Sequence, residues 1–142
     1  MNICVPYDKE YTDLLGLAVY SFEYYEGMIV DVISYYEPDF RTEYYRRKAM
    51  ASSKLADKFE TCKKYDQLEK YIEDFSSLVD RCNQLFHAHP VTHDGNQILN
   101  YQVNTDWEVC DFLWTKDELQ SFLLTINRNI MSLSEFKSKL MK

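Results

Sequence analysis

Apolar residues recur every three or four positions through most of this chain, a spacing that predicts helices with one buried face. The cleanest run is Leu68, Tyr71, Ile72, Phe75, Leu78, Val79, Cys82, Leu85 and Phe86, which predicts a helix from about Asp66 to Phe86. A second run, Leu15, Ala18, Val19, Phe22, Ile29, Val32, Ile33 and Tyr36, predicts an earlier helix. Thr12 or Asp13 would cap that helix, after an irregular lead-in over residues 1–10. Glu37-Pro38-Asp39 ends it, because a residue before proline avoids the α region.

Between these runs the pattern weakens. Phe40, Tyr44 and Tyr45 have helical spacing, but Arg46-Arg47-Lys48 interrupts any apolar face, so residues 39–50 read as a loop or a short helical turn. Ser52 or Ser53 would cap the next helix, running to about Lys64 and burying Leu55, Ala56, Phe59 and Cys62. After Pro90 the period changes. Residues 91–96 have turn composition, and residues 97–103 and 107–114 read as two strands joined by the polar turn Asn104-Thr105-Asp106. Thr115-Lys116-Asp117-Glu118 is a capping box, with Glu118 expected to reach back to the Thr115 N–H. The closing helix buries Leu119, Phe122, Leu123, Ile126, Ile130, Leu133 and Phe136. The expected fold is mainly α: a four- to five-helix bundle with a small β-hairpin before the last helix, in a single domain over residues 1–142.

Composition agrees with long helices, since three Gly and three Pro are few breakers for 142 residues. The net charge of −7 repels nucleic acid overall, so an RNA-directed role needs a local basic patch. Arg41, Arg46, Arg47, Lys48, Lys54, Lys58, Lys63 and Lys64 form the one candidate stretch, against Glu43, Asp57 and Glu60. Its plainer reading is a solvated helix face that balances the acidic stretch after it. Cys4, Cys62, Cys82 and Cys110 have neither zinc spacing nor a disulfide framework, which suits reduced thiols in a cytoplasmic protein. The N-terminal residues do not read as a signal peptide, and no apolar stretch is long enough to span a bilayer.

Candidate chemistry gathers where the long helix stops. Arg81 can grip phosphate oxygens, His87 can pass a proton near neutrality, and Asn83 can orient either partner. Together they suit metal-free RNA cleavage, in which a base removes the 2′-hydroxyl proton and a cation stabilises the charge gathering on the phosphate. The plainer alternative is an Arg and a His with structural roles at a helix end. Glu26 falls inside an apolar stripe, where a carboxylate is costly unless paired. His87, His89 and His93 fall short of a metal site, with Asp94 the one suitably spaced carboxylate. No glycine-rich phosphate loop and no nucleophile elbow occur, so no cofactor is expected.

Arg81-Cys82-Asn83-Gln84-Leu85-Phe86-His87-Ala88-His89-Pro90, followed by Thr92, Asp94-Gly95 and Gln97-Ile98-Leu99, resembles the Arg…His motif of the HEPN-like superfamily. Leu15-Gly16, Ala18-Val19-Tyr20, Phe22 and Glu26, then Leu55-Ala56 and Phe59, extend the resemblance upstream. Cys82 stands where members of this kind often carry the Arg directly before the Asn. The resemblance implies a homodimer with a cleft at the two-fold interface and, in active members, a metal-independent endoribonuclease of toxin–antitoxin or defence systems. It then implies Arg81 as phosphate stabiliser, His87 as general acid or base, and Asn83 and Glu26 as supports. His89, Arg46, Arg47 and Lys48 would help to bind RNA, and an antitoxin protein would be a partner. The other reading is a catalytically inactive HEPN-like module that binds a protein, a nucleotide or RNA.

Overall fold

The computed structural model describes residues 1–49 and 55–141, with the side chains of Leu55 and Ala56 outside that description. The chain is mainly α. In order it forms α1 (Lys9–Ser34), α2 (Phe40–Ala49), α3 (Leu55–Thr61) with a following 3-10 turn, α4 (Asp66–Phe86), β1 (His89–His93), β2 (Asn96–Asn104), β3 (Val109–Trp114) and α5 (Lys116–Leu140).

Helix α1 packs against α5, α2 and α4. Its buried positions include Tyr11, Ala18, Phe22, Tyr25, Ile29, Val32 and Ile33, which follow the three–four spacing of the sequence. Phe22 joins three helices: its ring lies 5.6 Å from that of Phe75 on α4 and 6.3 Å from that of Phe122 on α5. The helix starts earlier than expected. Asp8, not Thr12 or Asp13, is the cap, and its carboxylate accepts from the Glu10 N–H at 3.1 Å. Pro6 lies outside the first turn and so does not oppose it. The predicted stop at Glu37-Pro38 agrees with the structure, where the Glu37 N–H still donates to Ile33 O at 2.9 Å.

Residues 40–49 form a full helix where a loop or short turn is expected. Only Phe40 and Tyr44 are buried on it, so its apolar signal is two residues long. The proposed Ser52 and Ser53 caps lie outside the described residues. Helix α4 has the predicted span, and Leu68, Ile72, Phe75, Leu78, Cys82 and Leu85 line its buried face.

The sheet has three antiparallel strands in the order β1-β2-β3, one more than the expected hairpin. Pro90 conceals β1 in the sequence, because proline argues against a strand interior. Here it sits on an edge strand, where its missing N–H breaks no ladder bond. Asp94 and Gly95 have φ of 49° and 77°, as a tight two-residue hairpin turn requires. The Thr115 cap forms, its hydroxyl accepting from the Glu118 N–H at 3.2 Å. The reciprocal half of the box does not: the Thr115 N–H donates to Leu113 O at 3.0 Å, and the Glu118 carboxylate turns elsewhere.

Tyr11 ties the helices to the sheet. Its hydroxyl donates to Trp114 O at 2.6 Å and accepts from the Leu99 N–H at 3.0 Å. Leu99 and Trp114 are cross-strand partners, so the phenol stands in for a rung of the ladder. Tyr11→Phe strands a half-buried N–H and a buried C=O and should cost roughly 1–3 kcal/mol, read as a lower urea midpoint with an unchanged slope.

Candidate functional site

Helix α4 ends at His87, whose N–H donates to Asn83 O at 3.0 Å. Six positions separate Arg81 from His87, and at about 100° each they place the two side chains about 120° apart around the axis. Arg81 lies on the side of α5 and β3. Its Nη2 is 3.3 Å from Glu118 Oε2, and its guanidinium carbon is 5.3 Å from the Trp114 ring centre and 5.5 Å from that of Phe122. An acid in the first turn of α5 and two ring faces thus hold this cation. The His87 side chain is exposed, with no hydrogen bond or ion pair to its ring among the described residues. Asn83, four positions earlier, shares its face and is also exposed.

Glu26 is buried, 7 % exposed, and its partners come from α2 rather than from Arg81 or His87. The Tyr44 hydroxyl donates to Oε2 at 2.9 Å, the Lys48 ammonium donates to Oε1, and Lys48 also reaches Glu23 at 3.0 Å. Tyr44 and Lys48 are four residues apart, so one helical face presents both. Their i, i+4 spacing is the sequence signal for this pairing, hidden by the reading of 39–50 as a loop. Burial, reinforced by the Glu26 carboxylate, pushes the Tyr44 phenol well above its ordinary range. Burial pulls Lys48 down, but its hydrogen bonds to Glu26 and Glu23 outweigh that and keep the ammonium protonated. Burial also pushes the Cys82 thiol up to about 12, with Glu23 and Glu26 adding to the effect.

Glu23, Glu26, Lys48, Cys82, Asn83 and Phe86 line a cavity of about 490 Å³ that Arg81 and His87 do not line. The basic stretch is largely neutralised from within. Arg41 pairs with Asp31, Lys58 with Glu43, Lys63 with Glu60 at 3.0 Å, and Lys64 with Glu37 at 3.1 Å. Arg46 is exposed and Arg47 half-buried on α2, neither in an ion pair among the described residues. His89 lies exposed on β1 opposite Asn100, and His93 sits 3.4 Å from Asp94. Among the described residues, no three His, Cys, Asp or Glu side chains gather as ligands for a metal. The arrangement therefore brings Glu26, Lys48 and Asn83 to one cavity, His87 to the exposed face beside it, and Arg81 to the opposite side of α4.

A raised thiol pKa has a signed consequence. The native state prefers the neutral Cys82, so its stabilising contribution is whole below the ordinary thiol value of 9.0 and is lost as the pH rises toward about 12. Urea midpoints should fall above pH 9.0, and Cys82→Ala should make that fall shallower. Glu26→Ala should cost roughly 2–3 kcal/mol, below the range for a fully buried pair because Lys48 is partly exposed. A double-mutant cycle with Lys48→Met should show the two losses to be non-additive. Scans of this chain against protein-family models, curated proteins and solved structures find no match.

Proposed function

We propose that this chain is a HEPN-like helical module, its five helices arranged as a bundle, that binds a protein partner rather than cutting RNA. The observation that carries the reading is the engagement of Arg81. Its guanidinium is paired with Glu118 and covered by Trp114 and Phe122, while His87 lies about 120° around the helix. A ribonuclease would have to free that cation from a carboxylate and two ring faces before it could stabilise a phosphate.

The electrostatics support the same reading. Carboxylates of the chain itself answer most of the basic stretch, and the net charge of −7 opposes a polyanion. The homodimer implied by the superfamily resemblance belongs to this proposal, with the exposed Asn83–His87 face at the end of α4 as its natural seam.

Purified protein incubated with RNA in a chelating buffer should leave the RNA intact, and His87→Ala should behave as the parent does. Cleavage by the parent that His87→Ala abolishes would replace this reading with the metal-independent endoribonuclease.

A further inference from the structure

We propose that the outer edge of β3 takes up an extended basic peptide as a fourth strand. The inference rests on the reading of the chain as a protein-binding module and names the chemistry of the partner.

The two edges of the sheet differ. The order β1-β2-β3 leaves one side of β1 and one side of β3 without a neighbouring strand among the described residues. Pro90 blunts β1. Strand β3 reads Val-Cys-Asp-Phe-Leu-Trp, with no proline, glycine or lysine to deter pairing.

The phase of the ladder identifies the free groups. At the hairpin tip the Thr105 N–H donates to Glu108 O at 2.8 Å, which makes that pair a bonded one. Bonded and non-bonded pairs alternate in antiparallel strands, so Val103–Cys110 and Tyr101–Phe112 are bonded pairs as well. Tyr11 bridging Leu99 and Trp114 has the same phase, as does Pro90 lying opposite Leu99. The N–H and C=O of Val109 and Asp111 therefore face outward from the sheet. The next outward carbonyl, that of Leu113, is taken by Thr115, which marks the inner limit of the open edge.

Side chains complete the surface. Val109 is 59 % exposed and Trp107 95 % exposed. The tip is not loose: the Glu108 N–H donates to Thr105 Oγ1 at 3.1 Å and Thr105 Oγ1 donates to Glu108 O at 2.9 Å, so Trp107 is held outward on a closed turn. Phe112 and Val103 offer exposed apolar surface on one face of the hairpin.

Charge selects the occupant. From His89 to Thr115 the chain has no Lys or Arg, but it has Asp94, Asp106, Glu108 and Asp111. The Asp111 carboxylate accepts from Asn100 Nδ2 at 3.1 Å and Gln102 Nε2 at 3.4 Å, which fixes its position without neutralising it. A second copy added to this edge would set these carboxylates against their own kind. A strand alternating Lys or Arg with apolar residues would lay its cations along the Asp111 face and its apolar side chains beside Phe112, as in β-augmentation.

The test uses the full chain, isotopically labelled, titrated with a capped peptide of alternating lysine and valine. The matched controls are the same peptide N-methylated at alternate residues and a glutamate–valine peptide. Amide resonances of Val109, Asp111 and Leu113 should shift, and both controls should bind at least about tenfold more weakly. Asp111→Pro, which removes an outward N–H and no backbone bond to β2, should weaken binding by about tenfold, and Val109→Pro, which leaves the Asp111 carboxylate and its bonds to Asn100 and Gln102 in place, should do the same. Equal binding of the N-methylated peptide, shifts confined to the helices, or no binding at all would overturn the proposal. So would a dimer in sedimentation that Asp111→Pro dissolves, since the edge would then belong to a second copy. Peptide failure with RNA left intact removes only the strand addition; RNA cleavage in chelator removes the module reading on which it rests.

Discussion

The sheet is held to the helices by one fully buried indole. Trp114 closes β3 and immediately precedes the cap of α5, and it has no exposed surface. Its carbonyl takes the Tyr11 hydroxyl, its ring meets Phe122 edge-on at 5.6 Å, and Arg81 of α4 lies over it. Elsewhere the three strands bury little, with Ile98 and Asn100 the other buried positions. Apolar burial is roughly proportional to area, so a sheet with so few buried residues depends on its largest one. Among the described residues the indole Nε1 has no hydrogen-bond partner, a cost of roughly 1–3 kcal/mol that the packing around it offsets.

That junction also governs the electrostatics. Glu118 lies in the first turn of α5, where the helix dipole already favours a carboxylate, and from there it reaches Arg81, which lies over the Trp114 ring. A comparable pairing recurs between α1 and α2, where Glu26 is fixed by Tyr44 and Lys48. In both places a polar group that stands out in the sequence as available for a ligand is answered by another element of the fold. Lys48 of α2 and Arg81 of α4 serve packing first.

The strongly periodic elements were legible in the sequence. Helix α4 and the paired strands β2 and β3 carry their patterns over enough residues to override local composition. Helix α2 was not, because only Phe40 and Tyr44 are buried and its other positions are polar or basic. Strand β1 was hidden by Pro90, whose tolerance on an edge depends on which neighbour the strand acquires, a property of the assembled sheet. The site divides in the same way. Glu26 was conspicuous as a carboxylate in an apolar stripe, but its partners lie on the helix that the pattern concealed. The engagement of Arg81 depends on Glu118, which local reasoning assigns to its own helix cap rather than to a residue far away in sequence.

Tyr11 and Trp114 are 103 positions apart, yet one hydrogen bond joins them. A chain made from its N-terminus cannot form this bond until β3 has left the ribosome. Until then the first turn of α1 has no seat on the sheet, and its phenol must be satisfied by water. Vectorial synthesis thus makes the first turn of α1 appear before the sheet and lock only after it. Its order during translation is set by the arrival of a tryptophan 103 positions later.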